Sequence, residues 1–177
     1  TMQGAQFGVC AGTRVGAESI LQNSGGLYVT ANDVIIDGFT VQNSTAPAFT
    51  GYGIALGAGT SGAHVINNIF QDNIVGLGLA NNPAGNQALI ECNLFRNNTQ
   101  PGGASGHGIY SDEFVAGTAF GMDDVLIENN DFVNDNGAVT GTWGIGMSNT
   151  GTLAFTNLQV LNNRFDSASP ASRGRAS

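Results

Sequence analysis

The chain has 177 residues, including 27 glycines, and its formal net charge is −8 because 13 acidic residues outnumber 5 basic ones, all arginine. This length suits one domain with a substantial core, and no apolar run approaches the roughly 18 residues of a membrane span. No basic stripe exists to neutralise phosphates, so the composition argues against a nucleic-acid partner. An acidic, lysine-free chain rich in Asn, Thr, Ser and Gly is typical of an extracellular or cell-surface protein.

Residues 1–25 are predicted to form an N-terminal partial coil, with a strand at Glu18-Ser19-Ile20-Leu21. A solenoid normally needs a polar cap at its end, because the last coil presents unpaired strand edges. The opening residues contain no such cap. This beginning suggests a segment of a longer polypeptide.

Residues 26–165 repeat one pattern five times, in which two apolar anchors stand five positions apart and another apolar residue lies two positions before the first anchor. Alternating apolar positions followed by turn-forming Asn predict a short strand that bends at a corner. The spacing of the copies is unequal, so insertions are expected to loop out between corners. The anchor pairs are Ile36 and Val41, Val65 and Phe70, Ile90 and Phe95, Ile127 and Phe132, and Val160 and Phe165.

Two further columns accompany the anchors. Asparagine follows the first anchor by three positions in four copies, and its amides are expected to stack into a ladder at one corner. A second strand begins with glycine followed by an apolar residue, and these glycines are expected to face outward with Ala55, Gly78, Tyr110 and Gly146. The ladder residues are Asn68, Asn93, Asn130 and Asn163, and the second-strand pairs are Gly26-Leu27, Gly53-Ile54, Gly76-Leu77, Gly108-Ile109 and Gly144-Ile145.

These columns predict an all-β fold, a right-handed parallel β-helix of about five to six coils. A helical solenoid is excluded because the apolar period of 3.6 residues is absent. The right hand follows from the strong preference of parallel crossover connections. Residues 166–177 have no apolar pattern and are predicted to be a C-terminal tail.

The repeats Ile-Asp-Gly-Phe-Thr-Val, Glu-Asn-Asn-Asp-Phe and Leu-Asn-Asn-Arg-Phe resemble those of pectate-lyase-like, right-handed β-helix proteins. The opening Gly4-Ala5-Gln6-Phe7-Gly8-Val9 with Ala17-Glu18-Ser19-Ile20 is similar to the first coils of bacterial surface members. The resemblance extends to about residue 167. It implies the fold but not one activity, since lyases, hydrolases, epimerases, tailspikes and surface proteins share these repeats.

Lyase-type members of that superfamily hold calcium with aspartates, and four carboxylates in the longest excursion between repeats are candidate ligands for Ca²⁺: Asp112, Glu113, Asp123 and Asp124. The alternative is that they are simply solvated loop residues. No catalytic residues are predicted, and the chain contains no Gly-x-Ser-x-Gly motif and no metal-spaced His cluster. Arg96 and Arg164 either bind an acidic sugar or cover apolar surface at the corners.

The two cysteines, Cys10 and Cys92, are expected to be free or buried thiols rather than a disulfide. Cys92 stands in the corner position that Asn67, Asn129 and Asn162 occupy in other copies. It is therefore predicted to replace a stacked Asn.

Aromatic residues stand at the head of the second strand, beside small residues that suit the apolar face of a sugar ring. A glycan-binding face is predicted from Tyr52, His107, Tyr110 and Trp143, with Asp112 and Glu113 at its rim. In the alternative interpretation, glycine eases tight turns while Tyr52, His107 and Trp143 fill the end of the core.

Three function classes remain open: a non-catalytic extracellular domain that is structural or glycan-adhesive, a polysaccharide lyase or hydrolase acting on acidic polysaccharide, and a self-assembling, fibre-forming solenoid. The first is favoured. The expected partners are a polysaccharide or cell-surface glycan, and end-to-end or face-to-face protein contacts. The face-to-face contact is suggested by an outward row that is unusually apolar, formed by Ile35, His64, Leu89, Leu126 and Gln159.

Overall fold

The structure is a computed structural model that describes residues 1–22, 25–46, 51–117, 119, 121–135, 144–149 and 154–166. This part of the chain contains seventeen short strands, numbered β1 to β17 in chain order, and one turn of 3₁₀-helix at Ala11–Thr13. None of the helices described there has the length and apolarity that a membrane span requires.

The strands form three parallel sheets, each ordered by successive coils. Sheet A consists of β1 (Met2–Gln3), β4 (Ile35–Asp37), β7 (His64–Ile66), β10 (Ala88–Glu91), β13 (Val125–Glu128) and β16 (Leu158–Leu161). Sheet B consists of β2 (Ser19–Gln22), β5 (Phe39–Gln42), β8 (Ile69–Gln71), β11 (Leu94–Arg96), β14 (Asp131–Val133) and β17 (Arg164–Asp166). Sheet C consists of β3 (Leu27–Val29), β6 (Tyr52–Leu56), β9 (Val75–Gly78), β12 (His107–Ser111) and β15 (Ile145–Met147).

Each coil contributes one strand to sheets A, B and C in turn, and its strands pair with those of the next coil. The predicted parallel β-helix is therefore confirmed, with about six coils. The first coil comprises β1 to β3, and the sixth is represented by β16 and β17. The predicted domain boundaries stay predictions, and residues 167–177 of the predicted tail lie outside the described residues.

Stacked columns of identical strand position form the core. The first anchors pair in register from Ile36 to Val65, Ile90, Ile127 and Val160. In sheet B the aromatic anchors Phe70, Phe95, Phe132 and Phe165 stack face to face, with ring centroids 4.8 to 4.9 Å apart. The sheet C column is also in register, comprising Leu27, Ile54, Leu77, Ile109 and Ile145. All three predicted columns are confirmed.

The predicted asparagine ladder lies at the corner between sheets A and B. The Oδ1 atom of Asn93 accepts the Asn68 backbone N–H at 2.9 Å, and the Nδ2 atom of Asn93 donates to the Val65 carbonyl at 2.8 Å and to Asn130 Oδ1 at 2.9 Å. Asn130 repeats this pattern with Asn163. Because every coil satisfies the amide of its neighbour, buried polar side chains are accommodated inside the helix.

A second ladder, outside the predicted columns, follows the aromatic anchors. The Asn73 Oδ1 atom accepts the Ser44 backbone N–H at 3.0 Å, and Asn73 Nδ2 donates to Asn98 Oδ1 at 2.9 Å. Asn98 in turn donates its backbone N–H and its Nδ2 to Asp135 Oδ1, at 2.9 and 3.0 Å. Among the described residues the last rung of this ladder is therefore a carboxylate, and its Oδ2 atom is buried with no hydrogen-bond partner within that part of the chain.

The residue before each rung adopts a left-handed backbone conformation, which lets the chain turn sharply between sheets A and B. Asn67, Asn129 and Asn162 have φ of 54° to 56°, and Cys92 has the same value, 56°. Asparagine tolerates this region well, whereas most residues with a Cβ do not. The prediction that Cys92 replaces an asparagine in this position is confirmed.

The expectation of free thiols is wrong, because Cys10 and Cys92 form a disulfide with their Cα atoms 4.9 Å apart. The sequence separation of 82 residues hid this proximity, which depends on the path of the N-terminal strap, defined as residues 4–18. The strap leaves β1 and crosses the corner between sheets A and B. The Gly8 N–H donates to Asp37 Oδ1 at 3.0 Å, and the Ala11 N–H donates to the Cys92 carbonyl at 2.9 Å. The disulfide therefore fastens the first coil to the fourth.

The expectation that the second-strand glycines face outward is also wrong. A Cβ atom at Gly76 would lie 2.7 Å from Phe95 Cδ1, and one at Gly108 would lie 2.7 Å from Phe132 Cδ1. These glycines therefore face the phenylalanine stack and make room for its rings. The outward positions of sheet C are those in register with Ala55, namely Tyr28, Gly78, Tyr110 and Gly146.

Candidate functional site

A groove of about 320 Å³ lies on the outer face of sheet C. We call it the sheet C groove. Its lining is mostly apolar and includes Leu27, Tyr28, Tyr52, Ala55, Phe114 and Val115. Tyr28 and Phe114 are each 65% exposed, which is unusual for large aromatic side chains. Exposed rings beside a concave apolar surface are typical of a ligand-binding site.

Strand register positions the two tyrosines of the groove. Tyr28 is the outward residue of β3 and pairs with Ala55, whose small side chain leaves the surface beside it open. Tyr52 begins β6, and its ring lies over Gly78 in the following coil, where a Cβ atom would be 2.5 Å from Tyr52 Cδ2. Tyr52 is consequently only 5% exposed and forms part of the groove wall.

A tight turn after β12 carries Phe114 and Val115. The Asp112 Oδ1 atom accepts the backbone N–H groups of Phe114 at 3.0 Å and Val115 at 2.9 Å, while Asp112 Oδ2 accepts the Tyr110 hydroxyl at 2.9 Å. The Ala116 N–H closes the turn on the Asp112 carbonyl at 2.9 Å. Asp112 therefore acts as a side-chain acceptor that shapes the turn and holds Phe114 at the groove.

His107 and Tyr110 form a second aromatic pair on the same face, with ring centroids 5.0 Å apart and planes tilted by 57°. The His107 ring lies over Gly146, as the Tyr52 ring lies over Gly78. Its Nδ1 atom is 2.8 Å from the Ala104 carbonyl oxygen, which can only accept, so Nδ1 carries the proton. Glycine in this face is thus covered by rings of the protein itself.

The electrostatics of this face favour neutral side chains. Burial raises the pKa of Tyr52, and the nearby Asp112 carboxylate raises it further. Burial and the hydrogen bond to Asp112 raise the pKa of Tyr110 to about 12. Burial lowers the pKa of His107 below its ordinary value. At neutral pH both phenols keep their protons and the imidazole is uncharged, which suits hydrogen bonding to neutral hydroxyl groups.

The structure places three of the predicted glycan-binding residues on one face of sheet C: Tyr110 packs against the cluster that contains Tyr52, and its ring lies beside that of His107. Tyr52 lines the sheet C groove, His107 is 8% exposed, and Tyr110 is half-buried against Asp112. Trp143 lies outside the described residues. The glycan-binding face itself stays a prediction.

The four predicted calcium ligands lie in two different settings. Asp112 shapes the turn described above, and Glu113 follows it there. Asp123 Oδ1 accepts the Thr156 hydroxyl at 2.7 Å, and Asp124 Oδ1 accepts the Gln87 amide at 2.8 Å. Within the described part of the chain, no three His, Cys, Asp or Glu side chains are grouped so that they could hold a metal ion. The calcium site stays a prediction.

Sequence reasoning missed two groove residues, Tyr28 and Phe114. Tyr28 could have been predicted from the sequence, because the outward column of Ala55, extended by one coil toward the N-terminus, contains it. Phe114 gave no comparable signal, since it lies in an excursion outside the repeat. Only the fold of the Asp112 turn brings it to the groove.

Comparison of the chain with protein-family models, curated proteins and solved structures gives no match. The fold is thus established by the strand topology, whereas the likeness to the pectate-lyase-like superfamily stays a resemblance.

Proposed function

We infer that this chain is a non-catalytic extracellular β-helix domain that binds neutral glycan chains through the sheet C groove. The observation that carries the proposal is the pair of exposed aromatic rings, Tyr28 and Phe114, in an apolar groove of about 320 Å³. The C–H faces of pyranose rings pack well on aromatic rings, which also bury large area at low cost in conformational entropy. None of the described residues that line the groove is charged, which favours a neutral ligand.

The extracellular location is supported by the disulfide between Cys10 and Cys92, since such bonds persist chiefly in oxidising compartments. The composition agrees, because the chain has no lysine and a net charge of −8.

Calorimetric titration with cellohexaose, xylohexaose and laminarihexaose tests the proposal. We expect saturable binding of at least one oligosaccharide, and a loss of about tenfold or more in affinity for Tyr28→Ala and for Phe114→Ala, because truncating an aromatic residue that dominates a binding site typically costs about 2 kcal/mol or more. Phe7→Ala is the matched control, since Phe7 is also exposed, at 56%, but is not among the groove residues. Equal losses in all three variants, or no binding at all, would contradict the proposal. Release of unsaturated products that absorb in the ultraviolet would show a lyase instead.

A second candidate function is end-to-end assembly, which the last described coil favours. In that coil the last described members of two core columns are unusually exposed, with Val160 at 48% and Phe165 at 56%. Within the described part of the chain, Phe165 is the last ring of the phenylalanine stack. Sedimentation velocity of the chain and of Phe165→Ser distinguishes an assembling chain from a monomer. Assembly requires that the sedimentation coefficient increase with protein concentration, and that the substitution reduce this increase.

A further inference from the structure

A ladder of polar side chains runs along the outer face of sheet B over four consecutive coils. The Gln42 amide donates to Gln22 Oε1 at 2.9 Å, and the Gln71 amide donates to Gln42 Oε1 at 2.6 Å. Arg96 ends the series by donating Nε and Nη2 to Gln71 Oε1, at 2.8 and 2.5 Å. These hydrogen bonds hold four long side chains in one orientation, so the ladder is a preformed wall rather than a set of mobile side chains.

The N-terminal strap forms the opposite wall of a groove of about 370 Å³, which we call the sheet B groove. Ile20, Ile69 and Leu94 contribute apolar surface between the two walls. The strap is fixed in place by the disulfide and by Arg14, whose guanidinium donates to the carbonyls of Asn67 at 2.7 Å and Phe39 at 3.2 Å. Both walls are therefore ordered before any ligand arrives, which lowers the entropic cost of binding.

The charges in this groove differ from those of the rest of the molecule. Of the arginines in the described part of the chain, Arg14 and Arg96 line the groove, while Arg164 pairs with Asp131 at 2.8 Å. Arg14 is neutralised by Glu18 at 2.9 Å, and its side chain is only 1% exposed. Arg96 is exposed and has no ion pair among the described residues. The groove therefore contains an exposed positive charge, that of Arg96, in a protein whose net charge is −8.

The hydrogen bonds of Arg96 to Gln71 determine which N–H groups of its guanidinium remain available to a ligand. Gln71 occupies the edge formed by Nε and Nη2. Guanidinium has five N–H donors, so the end formed by Nη1 and Nη2 is directed away from that contact and fits two oxygens of one oxyanion. The glutamine amides beside it both donate and accept, as sugar hydroxyls do.

We propose that the sheet B groove binds a saccharide that carries an oxyanion, either carboxylate or sulfate. Arg96 receives the oxyanion end-on, the glutamine ladder hydrogen-bonds to hydroxyl groups, and Ile69 and Leu94 contact the C–H face of a sugar ring. This site lies on a different sheet from the sheet C groove and does not depend on glycan binding there.

Calorimetric titration with two matched pairs of probes tests the proposal: hexagalacturonate against its methyl ester, and sulfated cellohexaose against cellohexaose. We expect at least one anionic probe to bind more tightly than its neutral partner. Arg96→Gln should lower the affinity for that anionic probe by about tenfold or more, as expected for the loss of hydrogen bonds to a charged group. It should leave the affinity for the neutral partner unchanged. The probe that responds identifies the oxyanion.

Two controls keep the test specific. Arg164→Gln removes the same charge from the same sheet but outside the groove, so it should change the affinity for the anionic probe little. Tyr28→Ala reports on the sheet C groove alone and should also leave anionic binding intact, whatever it does to neutral oligosaccharides. The proposal is overturned if Arg96→Gln and Arg164→Gln have equal effects, if neither anionic probe is preferred over its neutral partner, or if anionic binding is lost in Tyr28→Ala instead. Urea unfolding curves of each variant verify that the fold is retained.

Discussion

At the scale of single residues, the asparagine ladder shows how a β-helix tolerates polar groups in its interior. Asn93 is 1% exposed, and each hydrogen-bonding atom of its side chain has a partner in an adjacent coil. Leucine is similar in size but neither donates nor accepts. Replacing one rung therefore affects partners in both neighbouring coils.

Asn93→Leu is accordingly predicted to lower the free energy of unfolding by about 3 kcal/mol or more, because unsatisfied buried groups cost about 1–3 kcal/mol each. Asn86→Leu is the control. Asn86 is exposed, and its side chain donates one hydrogen bond to Asp33 at 2.7 Å, so a change below about 1 kcal/mol is expected. Urea unfolding measures both variants. Equal losses would mean that the ladder contributes no more than a surface amide.

Asp135 is the last described rung of the second ladder, and its buried position disfavours the charged form of the carboxyl group. Burial raises the pKa of its carboxyl group to about 7, although the hydrogen bonds from Asn98 partly oppose the shift. The unfolded chain has the ordinary pKa of about 3.9. Below that value the carboxyl is protonated in both states, and between about pH 4 and pH 7 only the folded protein keeps the proton. The contribution of Asp135 to stability therefore declines over this range and stays low above pH 7.

Asp135→Asn is predicted to remove this pH dependence. The variant carries the same neutral amide as Asn73 and Asn98, and the difference in unfolding free energy between variant and wild type should move in favour of the variant by a few kcal/mol from pH 4 to pH 8, at about 1.4 kcal/mol per unit of pKa shift. Urea unfolding at several pH values gives this difference, in which the titration of all other groups cancels. A difference that is constant with pH would show that Asp135 titrates normally in the folded protein.

At the scale of strands and corners, the glycines of sheet C are spacers for the phenylalanine stack. Gly76→Ala places a methyl group 2.7 Å from Phe95 Cδ1 and 2.5 Å from the Gly108 carbonyl oxygen, closer than real Cβ contacts allow. We predict a loss of about 1–3 kcal/mol in unfolding free energy, the usual cost of overpacking a core. Gly103→Ala is the matched control, because Gly103 is exposed and an added Cβ atom there would meet nothing within 4 Å. A Gly76→Ala variant as stable as the control would show that the ring stack shifts freely.

The repeat was sufficient to predict the strands, the asparagine ladder and the corner position of Cys92, because every coil has the same spacing. The same spacing, three positions after an anchor, also predicts the second ladder. Asn73, Asn98 and Asp135 each follow an aromatic anchor by three positions, just as Asn68 follows Val65, so the second ladder was present in the sequence. Features outside the repeat were beyond prediction. The Cys10–Cys92 disulfide and the placement of Phe114 depend on excursions whose paths no periodic pattern specifies.

The glycine column was misassigned for a related reason. Alternation along a strand implies that neighbours of inward residues face outward, and Ile54 and Leu77 do point inward. Yet Gly53 and Gly76, each directly before an inward residue, also face the interior, since a Cβ atom on them would meet the rings of Phe70 and Phe95. Local departures from alternation are set by tertiary packing, and the sequence of one strand does not show them.

At the scale of the whole molecule, stability depends on contacts between adjacent coils. In such a linear array, the terminal coils have one neighbour and open most easily. The N-terminal strap modifies this rule, since its disulfide links the first coil to the fourth, and its contacts with Asp37 and Asn67 link it to the second and third coils. In the last described coil, the core-column side chains Val160 and Phe165 are exposed. The two ends of the array should therefore differ in their resistance to opening.

Hydrogen exchange is predicted to show this asymmetry. In the oxidised protein, amides of β10 and β11 should exchange most slowly and those of β16 and β17 fastest, while β2 should be intermediate because the strap holds its coil. Reduction removes a link that spans 82 residues, which corresponds to about 4.5 kcal/mol in the loop-entropy model, so the free energy of unfolding should fall by roughly that amount. Exchange in β2 should accelerate at the same time. The double variant Cys10→Ser, Cys92→Asn is the control, since asparagine suits the left-handed turn at this position. It should match the reduced wild type or slightly exceed it in stability, and it should not respond to reductant. Uniform exchange along the array, or a β2 strand indifferent to reduction, would show that the strap does not hold the first coil.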